Sequence, residues 1–255
     1  MKRFFLYAMV AAGVLASCSQ SENEGVPGNE PVDLTPSADA ILLSAAAPSV
    51  TVNATRSAGT IGGDGATISN TWSGQKLYIY ACQKDSKTGI TMSDRIADLN
   101  TYALRDEEGT VGTGDKISGV KWKNDESRYF PRSGAYDFFG YYGDDAVTGE
   151  ARSEAMNGTN VLYKSFVING SQDLMIAKAE LSEADKAKLD AEDINKAYSS
   201  YTARREVQPS MKFEHLLTRL VFNIKGMGSS KPENVYVQSI KVKSKTTGKL
   251  VFVYA

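Results

Sequence analysis

The feature that most limits what this chain can become is a succession of short apolar and aromatic runs, each closed by turn residues. The runs at 76–82, 135–142, 161–169, 211–225, 235–244 and 250–254 are rich in Val, Ile, Tyr and Phe, and several alternate apolar with polar residues. Alternation with a period of two is strand geometry, and β-branched and aromatic side chains suit a pleated surface. Between the runs stand turn formers: Thr88-Gly89, the glycines of 109–119, Ser133-Gly134, Asn157-Gly158, Asn169-Gly170 and Thr247-Gly248. Many short strands with tight connections predict an all-β fold, an antiparallel β-sandwich. The clearest expected hairpin pairs 240–244 with 250–254 around Thr246-Thr247-Gly248.

One segment departs from this pattern. Leu181, Ala184, Leu189, Ile194, Ala197, Tyr198 and Tyr201 fall at roughly helical spacing, and Ser182 with Asp185 can cap a first turn. A short helical insertion near 181–203 is expected there. The charged Lys186, Lys188, Asp190, Glu192 and Asp193 leave a long, partly ordered loop as the other reading.

The N-terminus carries an export signal. Lys2 and Arg3 precede the apolar run 4–15, which is too short to span ~30 Å of hydrocarbon as a helix. Residues 1–17 therefore read as a lipoprotein signal peptide ending in Leu15-Ala16-Ser17-Cys18, with Cys18 acylated and left as the first mature residue. Residues 18–40 are polar and rich in Pro and Gly, as a lipidated flexible tether would be. Each buried acyl CH₂ contributes about 0.8 kcal/mol, so several chains, palmitate among them, anchor durably without a transmembrane helix. Glu22 and Glu24 resemble surface-export signals of some Gram-negative lipoproteins, although any solvated linker can carry two acids.

Catalytic chemistry finds no foothold. A formal net charge of -1 disfavours nucleic acid, since no basic face is implied. After lipidation Cys82 is the only cysteine, so no intramolecular disulfide is expected, and its place in an apolar run argues for a small buried strand residue. His215 is the only histidine; a His-rich metal site is ruled out and a structural role beside a strand is expected. The run Gly109-Thr110-Val111-Gly112-Thr113-Gly114-Asp115-Lys116 has the glycine spacing of a phosphate loop but puts Asp115 where lysine is required, which favours a hairpin loop. The adjacent acids Asp144-Asp145 and Asp106-Glu107-Glu108 read as solvated turns, because neighbours on a loop do not straddle a scissile bond. No catalytic residue, cofactor or metal site is assigned, and no enzyme activity is expected. Tyr136, Phe138, Phe139, Tyr141 and Tyr142, with Trp72 and Trp122, are candidates for stacking on sugars, so a surface glycan-binding lipoprotein is the alternative function. Strand alternation would place about half of the aromatic run in the core.

Several segments together carry a resemblance. The lipobox and tether are followed by the strand-like 49–55 with Arg56-Ser57, then by Thr71-Trp72-Ser73-Gly74 before the strand at 77–81. Tyr129-Phe130-Pro131 leads into Tyr136-Asp137-Phe138-Phe139-Gly140-Tyr141-Tyr142, and then come Gln172-Asp173-Leu174-Met175-Ile176-Ala177 and Phe213-Glu214-His215-Leu216-Leu217-Thr218-Arg219-Leu220. In this order they resemble the fimbrillin family of type V pilus subunits and Mfa-like lipoproteins.

The resemblance implies transthyretin-like β-sandwiches: an N-terminal domain over 41–208, with a removable first strand at 41–56, and the start of a C-terminal one over 209–255. The second sandwich would be incomplete at Ala255, unless its strands complete the first. Polymerising relatives are cut after an arginine, and the matching bond here is Arg56-Ser57, between a strand-like stretch and glycine-rich chain that a protease can reach. Loss of the first strand would open an apolar groove for a neighbour's extended segment. The implied partners are other fimbrial subunits by β-strand addition, the outer membrane through the lipid on Cys18, and host or bacterial surface ligands. A structural or accessory subunit, at the anchor or the tip, follows as the implied role.

Overall fold

The computed structural model describes residues 38–46, 74–84, 91–112, 119–170, 172–218, 220, 222 and 237–255. Strand β1 (Ser44–Ala46) is followed by β2 (Lys76–Gln83), helix α1 (Met92–Ala97), β3 (Tyr102–Val111), β4 (Val120–Trp122), β5 (Tyr136–Tyr142), β6 (Val147–Met156), β7 (Thr159–Val167) and β8 (Met175–Lys178). Then come the single-turn helices α2 (Glu183–Lys186) and α3 (Ser200–Ala203), and strands β9 (Ser210–Lys212), β10 (Glu214–His215) and β11 (Thr247–Val253).

The fold is an all-β sandwich of antiparallel sheets. A six-stranded sheet in the order β10-β8-β5-β2-β3-β4 is its centre, and a three-stranded sheet, β11-β7-β6, covers one face. The opposite face is covered by residues 39–46, the 181–207 segment and β9, with β1 and β9 forming a parallel pair. The two cores follow from alternation along the central strands. Leu77, Ile79, Ala81 and Phe138 point to the side of Ile41, Leu43, Ala45, Tyr198 and Phe213. Tyr80, Cys82, Phe139 and Tyr141 point to the side of Ile96, Leu162, Leu250 and Phe252.

Strand β5 shows what this layering does to an aromatic run. Alternation predicts one solvent face, yet Tyr136, Phe138, Phe139, Tyr141 and Tyr142 are all buried, because both faces of the central sheet are covered. Phe138 meets Phe130 and Tyr198 edge to face, at 5.9 and 5.8 Å between centroids, and Tyr141 packs on Phe252 at 4.8 Å. Such pairs add to area burial through ring electrostatics. At Gly140 a Cβ would stand 2.8 Å from Met211 Cε and 3.2 Å from Phe213 Cζ, so its bare backbone is what lets β9 and Phe213 lie close.

Elsewhere the acids expected in a solvated turn, Asp106-Glu107-Glu108, lie within β3, where each has a cationic partner. Glu107 pairs with Arg128, and Glu108 with Lys76 and Lys123. Asp106, at a φ of 53° beside an irregularity in the β2–β3 register, pairs with the buried Lys164 of β7 and accepts from Tyr141 Oη at 3.0 Å. This ion pair ties the two sheets together, with the Lys164 ammonium also over the rings of Tyr78 and Tyr141. Asp106→Ala strands a buried ammonium and is expected to cost about 1–3 kcal/mol, the lower end reflecting the part-exposed carboxylate. Urea unfolding measures it, and Lys164→Met in the same chain should restore most of the loss; no loss in the single variant would refute the cross-sheet role.

The 181–203 segment is not one helix. Ser182 caps α2 through Asp185 N–H as expected, but the helix stops after one turn, and Ser199 opens α3 with a capping box to Thr202. Tertiary contacts break the path between them. Tyr198 takes a φ of 61°, its carbonyl accepts from Tyr136 N–H, and the Ala197 carbonyl accepts from Lys84 Nζ. Docking on β5 outweighs a helix propensity that a charge-rich segment held only weakly.

The hairpin of 240–244 with 250–254 does not form. Strand β11 pairs with β7 instead, from Thr247↔Val167 to Val253↔Leu162, and buries Leu250, Phe252 and Val253. Residues 237–246 have no regular structure, and Val237, Ile240 and Val242 are exposed. In the run 211–225, the described strand residues are confined to Met211, Lys212, Glu214 and His215. The described strands of 209–255, read as a possible second sandwich, pair with β1, β8 and β7 of the preceding chain. No helix among the described residues is long and apolar enough to cross a membrane.

Candidate functional site: a strand in a groove

Residues 39–46 form a segment whose side chains alternate from Ile41 onward, after the buried Ala40. Ile41, Leu43 and Ala45 are 1%, 3% and 0% exposed, whereas Leu42 between them is 52% exposed. The inward trio packs against Leu77, Ile79, Trp122, Met211 and Phe213 in the first core. Full burial of an Ile or Leu side chain contributes roughly 1.5–3 kcal/mol, so Ile41 and Leu43 together hold the segment by roughly 3–6 kcal/mol before any hydrogen bond.

Its main chain is bonded on both sides. On one flank Ile41 N–H donates to Arg128 O at 2.7 Å, Phe130 N–H to Asp39 O at 3.0 Å and Val120 N–H to Leu43 O at 3.0 Å. On the other, Ser44 N–H donates to Pro209 O at 3.1 Å and Phe213 N–H to Ala46 O at 3.3 Å. Where no described strand is adjacent, side chains replace one. Gln208 accepts from Leu42 N–H through Oε1 at 3.1 Å and donates Nε2–H to Ala40 O at 3.0 Å. The Trp122 indole donates to Ile41 O at 3.1 Å. At the N-terminal end Arg204 forks onto Asp39, and this pair holds the carboxyl below its usual range through hydrogen bonding. Asp39 and Ala40, read as the end of the tether, thus pack in this body.

Trp122→Phe keeps the ring and removes the indole donor from a buried carbonyl. The expected cost is about 1–2 kcal/mol, seen in chemical denaturation, with faster hydrogen exchange at Ile41 and Ser44, whose N–H groups bond to Arg128 O and Pro209 O. Unchanged exchange there would refute the clamp.

The other residues singled out above sit apart from this groove or outside the described residues. Cys18, Arg56, Ser57 and Trp72 lie outside the described residues. Cys82 is buried in the second core, and burial first of all pushes its thiol up to about 11. At pH 8 only about one such thiol in a thousand is ionised, so Cys82 should resist alkylation in the folded protein and label fully in denaturant. Labelling in the native state would contradict its burial. His215 carries its ring against Asp173, whose carboxyl burial pushes up against the opposing pull of His215. Asp144 receives the Tyr142 hydroxyl and Asp145 the Gln172 amide. Gly112 N–H donates to Gly119 O at 2.7 Å across the β3–β4 connection, which closes a hairpin as the loop reading required. The aromatic candidates for sugar stacking that are described, the β5 run and Trp122, are buried. Gln208 and the role of Trp122 escaped sequence reasoning, since nothing local marks a side chain that stands in for a strand.

The fimbrillin-like family model matches residues 55–251, most of the chain. The chain belongs to the fimbrillin-like family. These are structural proteins of pili, which gives this fimbrillin-like chain the role of a fimbrial subunit associated with others at the cell surface. No curated protein and no solved structure matches it significantly. The match begins at residue 55, so the groove's occupant lies before the matched residues, and the groove's walls lie within them.

Proposed function

We infer that this fimbrillin-like chain is exported as an outer-membrane lipoprotein on Cys18, cut at Arg56-Ser57, and joined to neighbouring subunits by strand exchange. The observation that carries this reading is the occupancy of the groove by 39–46, a segment lying N-terminal to the candidate bond. After cleavage only non-covalent contacts would hold that segment. Its departure would expose an apolar groove lined with unpaired main-chain groups and the clamps Gln208 and Trp122, which is a template for strand addition. The uncut form would remain an anchored accessory or tip subunit, and adhesion to host or bacterial surface ligands would be the output of the assembled fibre.

The experiment determines the N-terminal residue and apparent mass of the cell-surface form by mass spectrometry and detergent electrophoresis. A start at Ser57 in detergent-resistant ladders is expected, and Arg56→Ala should leave a lipidated Cys18 start with ladders lost at least tenfold. A wild-type chain found only as an uncut monomer would overturn polymerisation and leave the accessory role.

A further inference from the structure

The groove holds its occupant by two separable means. Gln208, Trp122, Arg128 O, Pro209 O and Val120 N–H grip main chain and do not sense side chains. Side-chain selection rests with the inward positions, which take Ile41, Leu43 and Ala45: large, large, small. The third must be small because Ala45 lies in register with Met211, a fully buried side chain that already fills that end. The outward position of Leu42 is open to solvent and places little demand on its residue. The resident occupant is internal to the chain, so the groove does not require a chain terminus.

A second occupant must be exposed, outside its own sheets and written large-x-large-x-small. Residues 240–244 meet each condition. Ile240 and Val242 are 46% and 54% exposed, Ser244 is small, and Lys241 and Lys243 take the positions that face water. They also cannot serve their own groove. Thr247 is fixed on β7, in the sheet that covers the other face of the central sheet from the groove. Lys245 and Thr246 between Ser244 and Thr247 reach roughly 10 Å when extended. Packed sheets stand ~10 Å apart, so crossing from the outer sheet past the central one to the groove layer needs ~20 Å.

We propose that the groove of one copy takes residues 240–244 of a second copy, with Ile240, Val242 and Ser244 in the places of Ile41, Leu43 and Ala45. This rests on the strand-exchange reading and names its donor. Gln238 then falls opposite Arg204, where an amide replaces the exposed Asp39 carboxylate, and Lys243 falls beside Ser210 as Ser44 does now.

That last neighbour provides the test. Full-length chains carrying Ser210→Cys and Lys243→Cys are co-expressed in the native host, oxidised, and their disulfides mapped by mass spectrometry. A Ser44→Cys/Ser210→Cys chain reports on the resident strand. The expected result is an intermolecular 210–243 bond within the ladders, absent from either single variant. Ile240→Asp with Val242→Asp should lower ladder formation at least tenfold while leaving the monomer's melting temperature unchanged, since both side chains are exposed there. Ladders without a 210–243 bond, or undiminished by the double substitution, overturn this donor and leave strand exchange standing. Wild-type chains without ladders, together with a complete 44–210 bond in the Ser44→Cys/Ser210→Cys chain, overturn both.

Discussion

Phe138→Ala is expected to remove about 3–5 kcal/mol of stability, the range for deleting a fully buried phenylalanine ring. The ring stands at 0% exposure in the middle strand of the central sheet, and nothing near it can collapse cheaply. Phe130 and Tyr198 meet it edge to face, and they come from a loop and from the docked 181–203 segment. The cavity would therefore loosen the contact that turns Tyr198 out of a helical path, as well as the sheet itself. For a domain of this size each kcal/mol shifts the melting temperature by roughly 2–4 °C, so a fall of roughly 6–20 °C is expected by calorimetry. Phe138→Leu should recover about half. A shift of under a few degrees for the alanine variant would mean that the ring is not enclosed as described.

The same strand shows how much the sequence disclosed. Runs with Tyr, Phe and Val in alternation were legible as β2, β5 and β7, because burial demands apolar residues there and little else fits. Strands β3 and β6 were hidden. Tyr102–Val111 spends its middle on Arg105-Asp106-Glu107-Glu108, and Val147–Met156 is mostly exposed and polar, so neither displays the pattern that defines a covered strand. Their acids are held by partners distant in sequence, such as Lys164 and Lys249, which no local window contains. Helix α1 was missed for the opposite reason: its signal, the Thr91–Asp94 capping box, is local but encloses only six residues. At the C-terminus, the apolar pattern of 240–254 was compatible with a local hairpin, and the second core decided otherwise by taking Phe252 against Tyr80 and Tyr141. The candidate site was half legible. A removable strand near 41–56 followed from family resemblance, whereas the groove's grip depends on Gln208 and Trp122, which meet the segment only after folding.

Leu43→Asp is the substitution expected to act most strongly on that groove. A carboxylate at a position 3% exposed, between core side chains, costs more than about 4 kcal/mol if it stays ionised and in place. With the Leu43 contribution lost as well, that exceeds the roughly 1.5–3 kcal/mol that Ile41 still contributes to holding the segment, so residues 39–46 should leave the groove rather than bury the charge. The expected signs are red-shifted Trp122 fluorescence, once Ile41 no longer covers the indole, and faster hydrogen exchange at Phe130, Val120 and Phe213, whose N–H groups lose their acceptors. Leu42→Asp, one residue away and facing water, should change none of these. Equal protection in the two variants would sink the inward–outward assignment and the groove with it. Strand exchange adds a sharper consequence: an unseated segment does what cleavage would do. Leu43→Asp combined with Arg56→Ala should therefore form ladders that Arg56→Ala alone does not, since the groove is vacated without a cut. Ladders absent from the double variant, in a chain shown by exchange to have lost its strand, would mean that an open groove is not enough to recruit a neighbour.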